Sequence, residues 1–262
     1  MRLRPLAVLA ALAVLAAMVS PAAAAPDGTG GHGPKPTIVL VHGAFADAAG
    51  WNGVIERLER HGYEVIAPAN PLRDLHTDAE YIGSVVASIP GPVVLVGHSY
   101  GGAVISNAAV GHPNVKSLVY IAGFAPEQGE SIFELTGKFP GSLLPANILP
   151  RQIPGGGTDA YINPAKFHQV FAADLPDKTS RLMAATQRPI TLAAGDGKSG
   201  EPAWKTVPSW YMVASDDKAI PAEAERFMAK RANAHTVEVK ASHVAMISHP
   251  DDVEALIRAA AR

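Results

Sequence analysis

Val93-Val94-Leu95-Val96-Gly97-His98-Ser99-Tyr100-Gly101-Gly102 joins an apolar, β-branched run to a helical run, with a serine held between glycines at the joint. Four apolar residues without polar alternation suit a strand buried on both faces of a parallel sheet. Gly102 to Val110 carries apolar residues at helical spacing. The pentapeptide Gly97-His98-Ser99-Tyr100-Gly101 is therefore G-x-S-x-G on a strand-to-helix turn, the context that gives this pattern chemical meaning. Such a turn strains the backbone of the serine, lifts its hydroxyl toward the sheet edge, and needs small residues where chain passes close. The following helix aims its N-terminus at the same point, where its dipole and free amides favour developing negative charge.

Working outward, buried-strand patterns recur at Thr37–Val41, Glu64–Ala67, Ser117–Ile121, Trp210–Val213 and Thr236–Val239. Helical spacing fills the intervals at Trp51–Arg60, Ala79–Ile89, Glu223–Lys230 and Val253–Ala260. Strand and helix alternate, which predicts an α/β fold with a mostly parallel central sheet and helices on both faces. The alternation breaks between Phe124 and Pro208, where Pro140, Pro145, Pro150, Pro154 and the Gly155-Gly156-Gly157 run punctuate weaker helical patterns at Pro164–Phe171 and Lys178–Gln187. A connection of this length is not plain loop, so residues 125–208 read as an inserted helical cap over the ligand-binding edge of the sheet.

A serine hydroxyl becomes nucleophilic only when a base takes its proton. His243 follows the last strand pattern and precedes the last helix, the position such a base requires; His249 precedes Pro250 and an acidic helix start, and His98 sits inside the turn itself. The imidazole needs an acceptor for its other N–H. Asp216 and Asp217 both follow the strand Trp210–Val213; Asp217, four residues before Pro221, is assigned, with Asp216 as the alternative. Two backbone donors must hold an oxyanion. One is assigned to Tyr100, the other to Ala44 in His42-Gly43-Ala44-Phe45, with Phe45 as its alternative and His42 as a brace of that loop. Phe45, Phe133, Phe167 and Phe171, with Leu135, Phe139, Leu143 and Leu144, are the candidates to line an apolar substrate pocket or to pack the cap.

Composition narrows the chemistry further. The chain is 48% hydrophobic and 18% charged, with 22 Lys plus Arg against 24 Asp plus Glu, and no block of one sign marks it for nucleic acid or a membrane surface. It has no cysteine, which excludes thiolate nucleophiles, and no histidine pair shares a helical face with a carboxylate at metal-ligand spacing. Neither a metal nor a cofactor is implied. Arg2 and Arg4 precede an apolar run from Leu6 to Val19, followed by Ser20-Pro21 and Ala22–Ala25. This run is shorter than the roughly 20 residues of a spanning helix. Residues 1–25 therefore read as a secretory signal peptide cleaved near Ala24 or Ala25, which predicts an extracellular protein with no membrane attachment after cleavage. Residues 26–36, with Gly28, Gly30, Gly31, Gly33, Pro26, Pro34 and Pro36, read as a flexible leader to the domain 37–262.

With these residues in place, the chain resembles the α/β-hydrolase superfamily, and within it the small-capped bacterial esterases related to plant methyl-salicylate esterases and hydroxynitrile lyases. The resemblance rests on Val41-His42-Gly43-Ala44, Gly97–Gly102, Phe124-Ala125-Pro126 with Gly129-Glu130-Ser131, Gln187-Arg188-Pro189, and Ser242-His243-Val244 with Ser248-His249-Pro250. It implies cofactor-free hydrolysis of small esters through an acyl-enzyme on Ser99. The lyases of the group usually carry a lysine after the histidine and a threonine in the oxyanion loop; Val244 and Gly43 stand at those positions, which favours the esterase. A binding protein that keeps the fold without turnover is the third reading, and the intact Ser99, His243 and Asp217 set speaks against it.

Overall fold

The strand patterns assemble around one sheet. In the computed structural model, which describes residues 34–262, the chain runs β1 (Thr37–Val41), α1 (Asn52–Arg60), β2 (Val65–Ile66), α2 (Leu75–Ala87), β3 (Val93–His98), α3 (Tyr100–Ala108) and β4 (Val115–Ile121). A long insertion holds α4 (Ile132–Gly137), β5 (Ile148–Gln152), β6 (Thr158–Ile162), α5 (Phe167–Phe171), α6 (Asp177–Thr186), β7 (Ile190–Thr191) and α7 (Leu192–Asp196). The core then resumes with β8 (Ser209–Ala214), α8 (Ala222–Arg231), β9 (His235–Val239), α9 (Ala245–Ser248) and α10 (Pro250–Ala260). The proposed signal peptide and most of the leader lie outside the described residues.

The central sheet has the order β2-β1-β3-β4-β8-β9, and every pairing in it is parallel. Every residue of β1 and β3 is buried, which requires cover on both faces and explains why their sequences lack polar alternation. Each fully buried Val, Ile or Leu there contributes about 1.5–3 kcal/mol of transfer free energy. The edge strand β9 differs: His235 to Glu238 are exposed, so its β-branched residues mark pairing with β8 and not burial. From β1 the order runs to β2 on one side and to β3, β4 on the other. That reversal opens a crevice beyond the carboxyl ends of β1 and β3, where ligands settle in open α/β sheets.

Helix boundaries follow their caps. Asp74 accepts the His76 and Thr77 amides and starts α2 at Leu75, four residues before the periodicity becomes visible at Ala79. Pro250 stands at the first position of α10, where its missing N–H costs nothing. In the cap, Ser131 and Glu134 form a reciprocal capping box on α4. The insertion holds the expected helices together with a three-stranded antiparallel sheet, β5-β6-β7. Gly155, Gly156 and Gly157, all at positive φ, turn β5 back on β6. Pro150 and the two-residue length of β7 hid this sheet from the strand pattern.

Candidate active site

Ser99 sits between β3 and α3 at φ 53° and ψ −124°, a backbone conformation that costs on the order of 1–3 kcal/mol in a non-glycine residue. The surroundings hold it there. Its carbonyl accepts the N–H groups of Gly102 at 2.9 Å and Phe124 at 3.0 Å. A Cβ on Gly43 would stand 2.5 Å from the Ser99 Cβ, and one on Gly97 would stand 2.5 Å from the Gly101 carbonyl oxygen. These glycines let the loop after β1 and the turn after β3 interlock.

His243 and Asp217 meet beside this turn. Asp217, buried in the loop after β8, accepts the Ala219 N–H at 2.6 Å and the Ile220 N–H at 3.0 Å on Oδ1, and faces His243 Nδ1 at 2.5 Å with Oδ2. An acceptor at Nδ1 puts the ring proton there and leaves Nε2 as an acceptor. Asp216 is exposed, and its amide donates to the Ala241 carbonyl at 3.1 Å. Of the adjacent pair, Asp217 is the one that reaches the imidazole.

The His243 loop is fixed on three sides. His98 Nε2–H donates to the His243 carbonyl at 2.9 Å; burial holds the His98 ring well below its usual pKa and keeps it neutral. Its bonding nitrogen is spent on this contact, so it is a brace beside Ser99. Phe171 lies edge-on to the His243 ring, with centroids 4.8 Å apart. Asp174 from the cap accepts the Ser242 N–H at 3.0 Å and the Ser242 hydroxyl. Partial burial works against the Asp174 charge, but the bonds from Ser242 outweigh it and hold the carboxyl below its ordinary range. His249, by contrast, sits against Asp252 at 3.3 Å on the flank of α10.

The loop after β1 is braced by His42, whose Nδ1–H donates to the Gly43 carbonyl at 2.8 Å while Nε2 accepts the Asn70 N–H at 3.0 Å. Burial lowers its pKa and favours this neutral form. Phe45, at φ 59°, donates its N–H to the Arg188 carbonyl at 2.9 Å. That amide is committed to the cap, which leaves the Ala44 amide as the loop's candidate donor; Ala44 and Phe45 border a cavity together with Ser99 and Tyr100. The Tyr100 hydroxyl donates to Asp78 at 2.9 Å, and the Arg73 N–H reaches both Asp78 oxygens at 3.2 and 3.1 Å. Burial raises the pKa of Asp78.

The cavity measures about 340 Å3, and Phe45, Phe124, Phe133, Ile148, Ile190 and Leu192 supply much of its wall. Among the described residues, no Asp, Glu, Lys, Arg or His lines it. Phe45, Phe133 and Leu144 of the sequence candidates border it; Phe167 and Phe171 do not. They are buried against each other, centroids 5.0 Å apart, because Phe171 is needed behind His243 and against Phe45. Leu135, Phe139 and Leu143 likewise pack away from it.

Several contacts around the site carry no local sequence signal. Asp174 gave no pattern at all. Asp78 was obscured in a polar helix start. The Gln187-Arg188-Pro189 run ties β6, the loop after β1 and Arg73 together. Gln187 bonds both backbone groups of Ile162 on β6, and the Arg188 carbonyl takes the Phe45 amide. The Pro189 carbonyl takes the Arg73 guanidinium at 2.6 Å.

Comparison with known proteins agrees with this architecture. A profile described as "Alpha/beta hydrolase family" matches residues 38–256. The chain is 29% identical to a pyrethroid hydrolase of Sphingobium wenxiniae, over 82% of this chain and 83% of that protein. It is 28% identical to methylesterase 8 of Arabidopsis thaliana, over 74% and 77%. The crystal structure of polyneuridine aldehyde esterase shares the fold, with a TM-score of 0.74 and 23% identity over 86% of this chain and 99% of that one.

Proposed function

Because this chain belongs to the alpha/beta hydrolase family, with esterases among its relatives, we propose that it is a serine carboxylesterase acting on small, uncharged esters. Ser99 attacks the ester carbonyl while His243 Nε2 takes its proton; Asp217 orients the imidazole and stabilises the imidazolium. The amides of Ala44 and Tyr100 hold the oxyanion, aided by the N-terminus of α3. His243 then returns the proton to the departing alcohol, and water releases the acid by the same steps.

The observation that carries this reading is the buried Asp217–His243 bond of 2.5 Å on a loop tied by His98 to the strained turn at Ser99. A cavity of about 340 Å3 without an ionisable acid or base on its wall favours neutral substrates at the small end of the ligand range. Val244 and Gly43, where the lyases of the group usually carry lysine and threonine, favour hydrolysis over cyanohydrin cleavage. The same reading includes export by cleavage of residues 1–25. Hydrolysis of a p-nitrophenyl ester series from acetate to decanoate, by the wild type and by Ser99→Ala, tests it. Turnover lost in the variant, with an optimum among the shorter acyl chains, is the expected result; equal turnover by both proteins refutes it.

A further inference from the structure

Glu225, in the first turn of α8, is fully buried and takes no part in the steps above. Its Oε2 accepts the Ala214 N–H at 2.9 Å, and its Oε1 has no hydrogen-bond donor among the described residues. Asp217 is tied to the same residue, its N–H donating to the Ala214 carbonyl at 3.2 Å, so two buried carboxyl groups share this turn and the Asp217 charge bears on Glu225. Two carboxyl groups buried on one turn repel each other when both are ionised, which favours a proton on one of them.

Donor placement decides which group carries it. Asp217 already accepts from Ala219, Ile220 and His243. Three donors stabilise its anion, whereas Glu225 receives one and has an oxygen to spare. The groups around Glu225 agree. Tyr211 on β8 donates its hydroxyl to the Gly123 carbonyl, and Arg226 on the same helix is bound to Glu223 and Glu238. Neither bonds to Glu225, and the pull of the Arg226 charge is outweighed by burial and by Asp217. Burial first, and then the Asp217 charge, hold the Glu225 carboxyl well above its ordinary range.

We propose that Glu225 is a positioning residue, kept as a neutral carboxylic acid whose O–H donates to Asp217 and thereby fixes the carboxylate that orients His243. This rests on the assignment of Asp217 and His243 to the reaction. The buried acid limits how strongly Asp217 draws on the imidazolium, because a carboxylate that accepts another hydrogen bond is a weaker base.

The sign of its pH effect follows. The folded chain keeps a proton that the unfolded chain releases above about pH 4.3, so Glu225 costs stability progressively as pH rises from there toward its folded pKa. Glu225→Gln removes that cost, keeps an oxygen for the Ala214 N–H, and offers an N–H to Asp217. Glu225→Leu removes the donor.

The test compares both variants with wild type, by thermal unfolding from about pH 4 to about pH 9 and by the pH profile of ester turnover, with Ser99→Ala run alongside. The Tm gain of Glu225→Gln over wild type should grow with pH, while kcat and the acid limb stay close to wild type. Glu225→Leu should keep KM, lose about tenfold in kcat, and move its acid limb to higher pH. A pH-independent Tm difference for Glu225→Gln would show Glu225 ionised and overturn the proposal, as would full kcat and an unmoved acid limb in Glu225→Leu. Should Glu225→Leu not fold, the Tm comparison of Glu225→Gln decides by itself. Turnover surviving in Ser99→Ala would instead refute the serine reading, and the Tm comparison would still report the Glu225 proton.

Discussion

Replacing Asp217 by Asn changes one atom in a place where every neighbour dictates the orientation of the new group. The site where Oδ1 stands receives two backbone donors, Ala219 N–H at 2.6 Å and Ile220 N–H at 3.0 Å, so the Asn oxygen belongs there. Flipping the amide would set its NH2 against both and leave two buried donors without partners, at about 1–3 kcal/mol each. The NH2 therefore faces His243 Nδ1 across the gap now spanned at 2.5 Å. Two N–H groups cannot face one another, so His243 moves its proton to Nε2, the nitrogen that should take the Ser99 proton. The wrong tautomer and the lost counter-charge together raise the barrier by about 4–5 kcal/mol, a fall of about 10^3 to 10^4 in kcat. Steady-state hydrolysis of p-nitrophenyl acetate measures it. Asp216→Asn, changed on an exposed side chain, should stay within about twofold of wild type. Activity of Asp217→Asn within about tenfold of wild type, or an equal loss in Asp216→Asn, would refute the reasoning.

Further outcomes follow from the same geometry. Phe133 borders the cavity and is 42% exposed, so Phe133→Ala should shift the chain-length optimum to longer acyl groups with little change in Tm, as an ester series and a melting curve would report. Asp174, held below its ordinary pKa by Ser242, contributes stability above its unfolded value of about 3.9 that is lost as pH falls through its folded value. Asp174→Asn should therefore melt below wild type at neutral pH, with the gap closing in acid, when Tm is followed against pH. N-terminal sequencing of protein recovered from the culture medium should read from Ala25 or Pro26; a chain that starts at Met1 would contradict the export assignment.

Much of this architecture is legible in the sequence because the parallel strands announce themselves. β1 and β3 are buried on both faces and must be apolar at every position, so Ile38–Val41 and Val93–Val96 leave no alternation to interpret. Gly97 and Gly101 are readable for a similar reason: backbone passes where a side chain would stand. The choice between Asp216 and Asp217 is not a matter of composition. It depends on the turn that aims Oδ1 at two amides and Oδ2 at His243, a geometry set by the Ala219 and Ile220 backbone. The cap is harder still. Phe167 and Phe171 have the composition of pocket residues, yet the space behind His243 claims Phe171, and only the packed structure shows which wall an aromatic ring joins. Glu225 reads from sequence as an ordinary charge in the first turn of a helix, where acids are common. Its burial beside the turn that carries Asp217 arises from the seating of α8 on β8, which no local pattern records.

The central claim is a covalent acyl group on Ser99, and mass spectrometry after rapid acid quench of a p-nitrophenyl acetate reaction tests it most directly. The account predicts one acetyl group, mapped to the peptide that contains Gly97-His98-Ser99-Tyr100-Gly101, in wild type quenched during turnover, and absent from Ser99→Ala and from His243→Ala. Ester turnover by wild type with no adduct on that peptide under any quench time, or an adduct that persists in Ser99→Ala, would contradict it.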